Sequence, residues 1–255
     1  MLFPGRREST LQTPQTAPLS QNRLLAAIPP EELQRLAPHF QPVSLAFRET
    51  LFEAGDPTES VYFPLSGMIS MIASAENGSS IEVGIVGKEG MTSVSAVLGD
   101  DISTLRGVVQ VAGSALKLRA TALGEELRRD GELRSILLRY SRFALAQATQ
   151  SAICNRLHSL DQRCARWLLG TRDRVGADTF PMTHEFLATM LGVRRAGVTV
   201  AAQALQQAGL IRYARSQLTI LDTDGLGAAA CECHRVLKNE YARLLGAGVG
   251  ASPPR

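Results

Sequence analysis

An α+β fold is predicted by three observations. The first half of the chain has short alternating strands, the middle has a long uninterrupted helical pattern, and the C-terminal part reads helix, turn, helix and hairpin. With 255 residues, of which 45% are hydrophobic and 20% charged, the chain can bury a substantial core. We therefore expect a folded protein of two domains rather than a disordered or fibrous chain.

The N-terminus and the cysteines indicate where such a chain would reside. Residues 1–21 contain three prolines and no apolar run of the kind that a signal peptide needs, so a disordered tail is predicted there. No stretch approaches the roughly 20 apolar residues that span a bilayer, and a soluble cytoplasmic protein without a membrane partner is expected. The four cysteines, at positions 154, 164, 231 and 233, suit a reducing compartment, and no structural disulfide is expected.

Residues 22–130 are predicted to form an N-terminal β-roll, which is jelly-roll-like. Val61, Phe63 and Leu65 alternate with other residues, and turn signals recur at residues 55–57, 66–67 and 77–78. Residues 106–118 are expected to add two more short strands. This number of closely spaced strands favours a rolled sheet over a lone hairpin.

Residues 131–157 are predicted to form one long helix. Apolar or small residues recur about every 3.5 residues, at Leu133, Leu137, Tyr140, Ala144, Ala148, Ser151 or Ala152, and Leu157. A helix of this length has a stripe that its own domain covers only in part, so we expect a homodimer. The alternative is that the stripe packs entirely within one monomer.

Residues 158–225 are predicted to form a C-terminal winged helix-turn-helix, and residues 226–255 a further helix and tail. Thr183 suits a helix N-cap, Gly192 permits a sharp turn, and Val193, Val198, Ala202 and Leu205 fit the buried side of a second helix. The segment that follows, with two apolar runs around an Arg-Ser-Gln turn, fits a small β-hairpin.

Two adjacent arginines open the second helix of this motif. Recognition helices enter the major groove by their first turn, where guanidinium groups bond guanine or neutralise phosphate. Residues 161–221 carry eight arginines against four acidic residues, although the whole chain has a net charge of only +3. We therefore predict a surface for double-stranded DNA that comprises Thr183, His184, Arg194, Arg195, Thr199 and Gln203.

From about Asn22 to Asp224 the chain resembles transcription regulators of the Crp/Fnr superfamily. The segment "LFEAGDPTESVYFPLSG" resembles the glycine-punctuated signature of their β-roll, and residues 183–212 resemble their helix-turn-helix. The resemblance implies a cyclic-nucleotide-binding-type β-roll sensor domain, a long dimerisation helix and a winged helix-turn-helix. It also implies that a homodimer binds a pseudo-palindromic promoter site, with RNA polymerase as a candidate partner and no catalytic chemistry.

The base-reading positions of that family carry over only in part. Arg195 falls on the arginine that opens the recognition helix of the family. The acidic residue that follows it there is replaced by Ala196, and the later arginine by Val200. The DNA sequence that is bound is therefore expected to differ from that of the best-known members.

The candidate effector pocket comprises Glu89, Gly90, Met91 and Arg106. Members that bind cyclic AMP place an acid on the ribose and an Arg-Ser or Arg-Thr pair on the phosphate, and an anion in a β-roll needs such a fixed cation. Here Met91 stands at the position of the acid and Leu105-Arg106 at the phosphate pair. A shift of register would let Glu89 and Arg106 serve instead. A cyclic nucleotide is not favoured, and no cofactor is expected.

Other chemistries find less support in the sequence. Every cysteine lies beyond Ala152, which argues against an iron-sulfur cluster near the N-terminal domain. A metal site at the second cysteine pair is also disfavoured. On one helix, the side chains of Cys231, Cys233 and His234 would be spread over more than half of the circumference, and no fourth metal ligand is evident. We therefore expect that helix to pack on the winged domain, and no metal site.

The sequence shows no catalytic constellation, so we do not expect an enzyme. The competing function is a small-molecule or nucleotide sensing module that acts mainly through protein contacts.

Overall fold

The computed structural model describes residues 19–246, and its first ordered residues are held by a buried asparagine. A 3-10 turn at Leu19–Gln21 leads into α1 (Arg23–Ala26) and α2 (Pro30–Leu36). The Nδ2 atom of Asn22 donates to the carbonyl oxygens of Pro64 and Gly90, both at 2.9 Å. Residues 19–21, assigned to a disordered tail from the sequence, are ordered because Asn22 ties them to the sheet. Residues 1–18 of that tail lie outside the described part.

The N-terminal domain is a five-stranded antiparallel sheet rolled on itself. Its strand order is β1-β5-β3-β4, and β2 pairs with the far end of β5. The strands are β1 (Gln41–Leu45), β2 (Thr50–Phe52), β3 (Ser60–Ser74), β4 (Ser80–Val86) and β5 (Arg106–Arg119). The predicted α+β fold with its β-roll is therefore confirmed.

Two strands are longer than the sequence suggests. The turn predicted at residues 66–67 and the break predicted within 106–118 are both wrong, because β3 and β5 run continuously through these positions. Gly67 and Gly113 lie opposite each other, where the pairing register shifts. A side chain on either would strike the backbone of the other strand. Glycine there bends the strands through a bulge without ending them.

Helix α3 (Ser95–Leu98) lies between β4 and β5, and two helices follow β5: α4 (Ala120–Leu127) and the 26-residue α5 (Glu132–Leu157). The first half of α5 packs Leu133, Leu137 and Tyr140 into the core of the N-terminal domain. The predicted stripe does not continue to the end of the helix, since Leu157 is 71% exposed. A second apolar row is exposed instead and includes Leu145.

The winged domain consists of helices around a small sheet. Its elements are α6 (Leu160–Val175), β6 (Thr179–Pro181), α7 (His184–Leu191), α8 (Arg195–Gln207), β7 (Ile211–Ala214), β8 (Gln217–Ile220) and α9 (Thr223–Ala229). The sheet order is β6-β8-β7. Strand β6 follows a polar, glycine-bearing stretch in which the sequence pattern indicates no strand. It forms because Phe180 is buried in the domain core while its backbone pairs with Leu218.

The last helix, α10 (Cys233–Leu245), packs back on α5. The rings of Phe143 and Tyr241 meet edge to face at 5.1 Å, and Leu244 enters the core of the N-terminal domain. The expectation that this helix packs on the winged domain is therefore met only in part, since α5 is its main partner and α6 its second one. The apolar side chains of α10 pack against α5, whereas its His234 contacts Asp173 of α6 at 2.8 Å.

The two domains pack directly against each other. Ile72 and Val108 of the roll share a buried cluster with Trp167 of α6. The guanidinium group of Arg174 in α6 pairs with the carboxylate of Glu89 at 2.8 Å, and both side chains are largely buried. The orientation of the winged domain is therefore set by contacts with β3, β5 and the turn after β4.

A buried carboxyl group lies at the centre of this contact. Glu82 of β4 accepts a hydrogen bond from Trp167 Nε1 at 3.0 Å and one from Ser70 Oγ at 2.7 Å. Burial raises the pKa of Glu82 to about 7, and these two hydrogen bonds and the charge of Arg166 only partly oppose the rise.

No helix within residues 19–246 is long and apolar enough to cross a membrane.

The raised pKa of Glu82 makes stability depend on pH. Relative to an unfolded value of 4.5, a folded pKa of about 7 means that the stabilisation is complete below about pH 4.5 and is lost as the pH rises through 7. Between about pH 5 and pH 8 the wild type should lose about 2.5 kcal/mol of unfolding free energy relative to Glu82→Gln, which still accepts from Trp167. Urea unfolding followed by the fluorescence of the single tryptophan measures this difference. Parallel pH profiles for the two proteins would contradict it.

Candidate nucleic-acid interface

The helix-turn-helix is built by a helix cap and a left-handed turn. Thr183 Oγ1 accepts the Phe186 N–H at 3.1 Å and so caps the start of α7. Helix α7 ends at Gly192, whose φ of +63° favours glycine. A Cβ atom at this position would also lie 2.8 Å from Ile81 Cδ1 of the roll. The turn therefore depends on glycine for both its conformation and the contact with the roll.

Helix α8 has one buried and one exposed side. Its buried side chains are Val198, Ala201, Ala202 and Leu205. Val193, predicted to be buried, is only partly covered because it lies in the turn before the helix. Arg194 is the N-cap residue, Arg195 begins the helix, and Gln203 lies two turns further along; all three are exposed. The predicted polar side of the helix is thus open to solvent.

The two arginines are nearly free of internal ion pairs. Arg195 Nε lies 4.0 Å from Glu185 Oε2, and both side chains are at least 70% exposed. Such an exposed pair is weak and is screened by salt. Arg194 has no acidic group within 4.0 Å among residues 19–246. Both guanidinium groups are therefore available to an anionic partner.

His184 and Thr199 bond to each other. His184 Nδ1 lies 3.0 Å from Thr199 Oγ1, and this hydroxyl also donates to the carbonyl of Arg195 at 3.1 Å. The hydroxyl can do both if His184 carries its proton on Nδ1. Burial, followed by the charge of Arg195, lowers the pKa of His184, which favours that neutral form. The pair therefore braces α7 against the first turn of α8.

The hairpin beside α8 carries further cations that the sequence pattern did not assign. Arg215 and Ser216 both have positive φ and form a two-residue turn between β7 and β8. Arg212 and Arg215 are exposed on this hairpin. Tyr213 stacks against the ring of His184 with centroids 4.7 Å apart and donates to the carbonyl of Met182 at 2.8 Å. The sequence did hold a sign of this surface, because Arg215 lies in the turn of the predicted hairpin that follows the recognition helix.

A cavity of about 390 Å³ lies between the roll and α5. Most of its lining is apolar and includes Met91, Leu98, Tyr140 and Leu145. Within the described residues, Asp100 is the only charged residue that lines this cavity. The chemistry of this lining suits an uncharged or apolar ligand better than an anion.

The four residues of the candidate effector pocket do not converge on this cavity. Met91 lines it, and Gly90 leaves room for the hydroxyl of Tyr140, which donates to the carbonyl of Met91 at 3.0 Å. Glu89 lies instead on a second cavity, of about 290 Å³, at the domain contact. Arg106 begins β5 and lines neither cavity.

Two protein-family models match the chain. The cyclic nucleotide-binding domain matches residues 42–130, and the Crp-like helix-turn-helix domain matches residues 162–229. Together they cover more than half of the chain, in the same order as the roll and the winged domain. A comparison with curated protein sequences found no match.

Solved structures share this fold. A protein of Eubacterium rectale assigned to the Crp/Fnr family of transcriptional regulators has a TM-score of 0.65 at 16% identity, covering 85% of this chain and 99% of its own. FixK2 of Bradyrhizobium japonicum has a TM-score of 0.64 at 15% identity, covering 75% and 98%. A Crp-family transcriptional regulator of Thermus thermophilus has a TM-score of 0.61 at 17% identity, covering 82% and 100%.

At these identities the structural likeness establishes the fold, and the two family models add the types of domain. The matched families and structures are transcription regulators and not enzymes. With a cyclic nucleotide-binding-type roll, a long helix and a Crp-like helix-turn-helix in one chain, the protein belongs to the Crp/Fnr superfamily of transcription regulators.

Proposed function

We propose that this regulator binds a pseudo-palindromic DNA site as a homodimer and thereby controls transcription. The observation that carries the proposal is the exposure of Arg194 and Arg195 on the first turn of α8, with Glu185 as their sole acidic neighbour within 4.0 Å in the described residues. A recognition helix inserts this turn into the major groove. Binding to chromosomal DNA would place the protein in the cytoplasm, with RNA polymerase as the partner that responds to promoter occupancy.

The exposed residues suggest a division of roles on DNA. Arg195, at the first position of α8, is assigned to a base edge, and Gln203 to a base further along the groove. Arg194, Arg212 and Arg215 are assigned to phosphates, because they flank the helix and form no ion pair with an acidic group of residues 19–246. Thr183 and His184 lie at the start of α7, which crosses the DNA backbone in this motif. His184 acts mainly by positioning, since its ring is already bonded to Thr199.

The exposed row on α5 supports the dimer. Leu138, Leu145 and Ala152 are spaced by seven residues and all are exposed, with 66% of Leu145 open to solvent. This spacing is typical of the seam between two coiled helices. Leu145 also lines the cavity beside the roll. A ligand in this cavity would therefore contact the residue that we assign to the dimer seam.

The chemistry of that cavity indicates the kind of effector. The absence of a lysine or arginine among the described lining residues leaves no partner for a cyclic phosphate. We therefore propose that an effector, where one acts, is an uncharged apolar molecule rather than a cyclic nucleotide.

Removing either arginine should weaken DNA binding in different ways. Arg195→Ala should cost about 1–3 kcal/mol and relax the preference for one base, because it loses a base contact. Arg194→Ala should weaken binding about equally for all sequences and lower the salt slope by about 1, because it loses a phosphate contact. Fluorescence anisotropy on DNA that the wild type selects from a random library measures both effects.

Arg128→Ala is the matched control for these variants, since Arg128 is an exposed arginine on the roll. It should bind like the wild type. Unchanged affinity in both recognition-helix variants would contradict the assigned interface.

A charge in the proposed seam should separate the subunits. Leu145→Glu would place two carboxylates against each other in an apolar contact, so the dissociation constant of the dimer should rise at least about tenfold. Sedimentation equilibrium at several concentrations gives the dissociation constant. Leu221→Glu, which alters an exposed leucine outside α5, should leave the dimer intact. A monomeric wild type, or a Leu145→Glu dimer as tight as the wild type, would contradict the seam.

A further inference from the structure

Three thiols and one imidazole meet where α5 ends and α10 begins. Cys154 and His158 come from the last turn of α5 and the residue after it, while Cys231 and Cys233 come from the segment that starts α10. One ligand atom from each side chain lies within 4.8 Å of all the others. The three cysteines are almost fully buried, and His158 is partly buried. This set touches neither the DNA-binding surface nor the wall of either cavity.

We propose that these four residues form a binding site for a thiophilic divalent cation, with zinc as the metal that the donor set favours. Three cysteine sulfurs and one histidine nitrogen are a common structural set for tetrahedral zinc. Carboxylate and carbonyl oxygens, which calcium and magnesium require, do not belong to the set. The site has no open position for a substrate, so its role is structural.

Two of the separations between ligand atoms match the edges of a zinc tetrahedron. Bond lengths of about 2.3 Å to sulfur and 2.05 Å to nitrogen imply about 3.8 Å between two sulfurs and about 3.5 Å between sulfur and nitrogen. Cys154 Sγ lies 3.6 Å from Cys231 Sγ, and Cys233 Sγ lies 3.4 Å from His158 Nδ1. All other separations between the four ligand atoms are at most 4.8 Å, so small movements of the side chains would bring the set around one ion.

The local structure explains why the sequence pattern hid this site. Cys154 and His158 are four residues apart, so they lie on one face of the end of α5. Cys231 precedes α10 and Cys233 begins it, so the two thiols can turn to the same side. The expectation that Cys231, Cys233 and His234 all lie on one helix is wrong for Cys231. His234 pairs with Asp173 instead, and His158 supplies the fourth donor, 73 residues away in sequence from the nearest of these cysteines.

Groups around the four donors suit a metal site. His158 Nε2 lies 3.2 Å from Glu232 Oε1, which directs the Nδ1 lone pair toward the thiols. A carboxylate on the second nitrogen is a usual feature of histidines that bind zinc. Gln150 Nε2 lies 3.1 Å from Cys233 Sγ and can donate to it. Arg163 and Arg166 lie near enough to interact with the charge of Cys154, which offsets the excess negative charge of three thiolates around a divalent ion.

Neither a packed thiol core nor a disulfide accounts for the whole cluster. Buried thiols can fill a core as small apolar groups, but that role does not need a histidine held by a carboxylate. A disulfide between Cys154 and Cys231 would use two of the four groups and leave Cys233 and His158 without a role. The metal uses all four donors. A bound ion would tie α10 to the junction between α5 and α6, where His158 leaves the helical conformation.

The test is the metal content of the full-length protein. It should be purified anaerobically with a phosphine reductant and without chelator, after expression with added zinc. Plasma mass spectrometry should find one zinc per chain in the wild type and in Cys164→Ser, whose thiol lies in the winged-domain core. Cys231→Ser and Cys233→Ser should retain less than about a tenth of it. Glu232→Gln should weaken zinc affinity about tenfold.

Two measurements on the wild type remain decisive if a serine variant fails to fold. Cobalt added to the metal-free protein should give the visible bands of tetrahedral cobalt with sulfur ligands, and a chelator should lower the melting temperature. A reduced wild type that takes up neither zinc nor cobalt would overturn the proposal. So would a Cys154–Cys231 disulfide found by mass spectrometry in protein purified anaerobically without the reductant.

Discussion

The long helix α5 is the constraint on which the rest of the structure depends. Its first half completes the core of the roll through Leu137 and Tyr140, and Phe143, near the middle of the helix, supports α10. Its exposed row, which includes Leu145, is open to the second subunit that we propose, and its C-terminal end carries Cys154, with His158 directly after the helix. A helix of 26 residues has enough surface to serve these partners at once, whereas a shorter one would have to give up one of them.

The contact between the domains links α5 to the recognition helix. The cavity lined by Tyr140 and Leu145 borders β4, and β4 carries Glu82, which bonds to Trp167 in α6. The turn after β4 carries Glu89, which pairs with Arg174 of the same helix. Helix α6 in turn supports α8. A change of packing at the cavity therefore has a continuous set of contacts through which it can alter the orientation of the winged domain.

The sequence predicts the order of the domains and the exposure of Arg194 and Arg195, because helix and strand periodicity and helix capping are local properties. It fails where distant residues decide the outcome. Gly113 looks like a strand break until Gly67 is found opposite it, and Phe180 looks like part of a loop until β8 pairs with it. The partner of Cys233 could not be inferred from spacing, because His158 reaches it only when α10 folds back on α5.

The most direct test of the account is a hydroxyl-radical footprint of the protein on a DNA fragment that it selects from a random library. The account predicts two protected segments with inverted sequences, their centres about one helical turn, or 10 base pairs, apart or a small multiple of it. That pattern requires two recognition helices related by a twofold axis. A single protected segment without internal symmetry, or protection of all sequences alike, would contradict a dimer that reads DNA through Arg195.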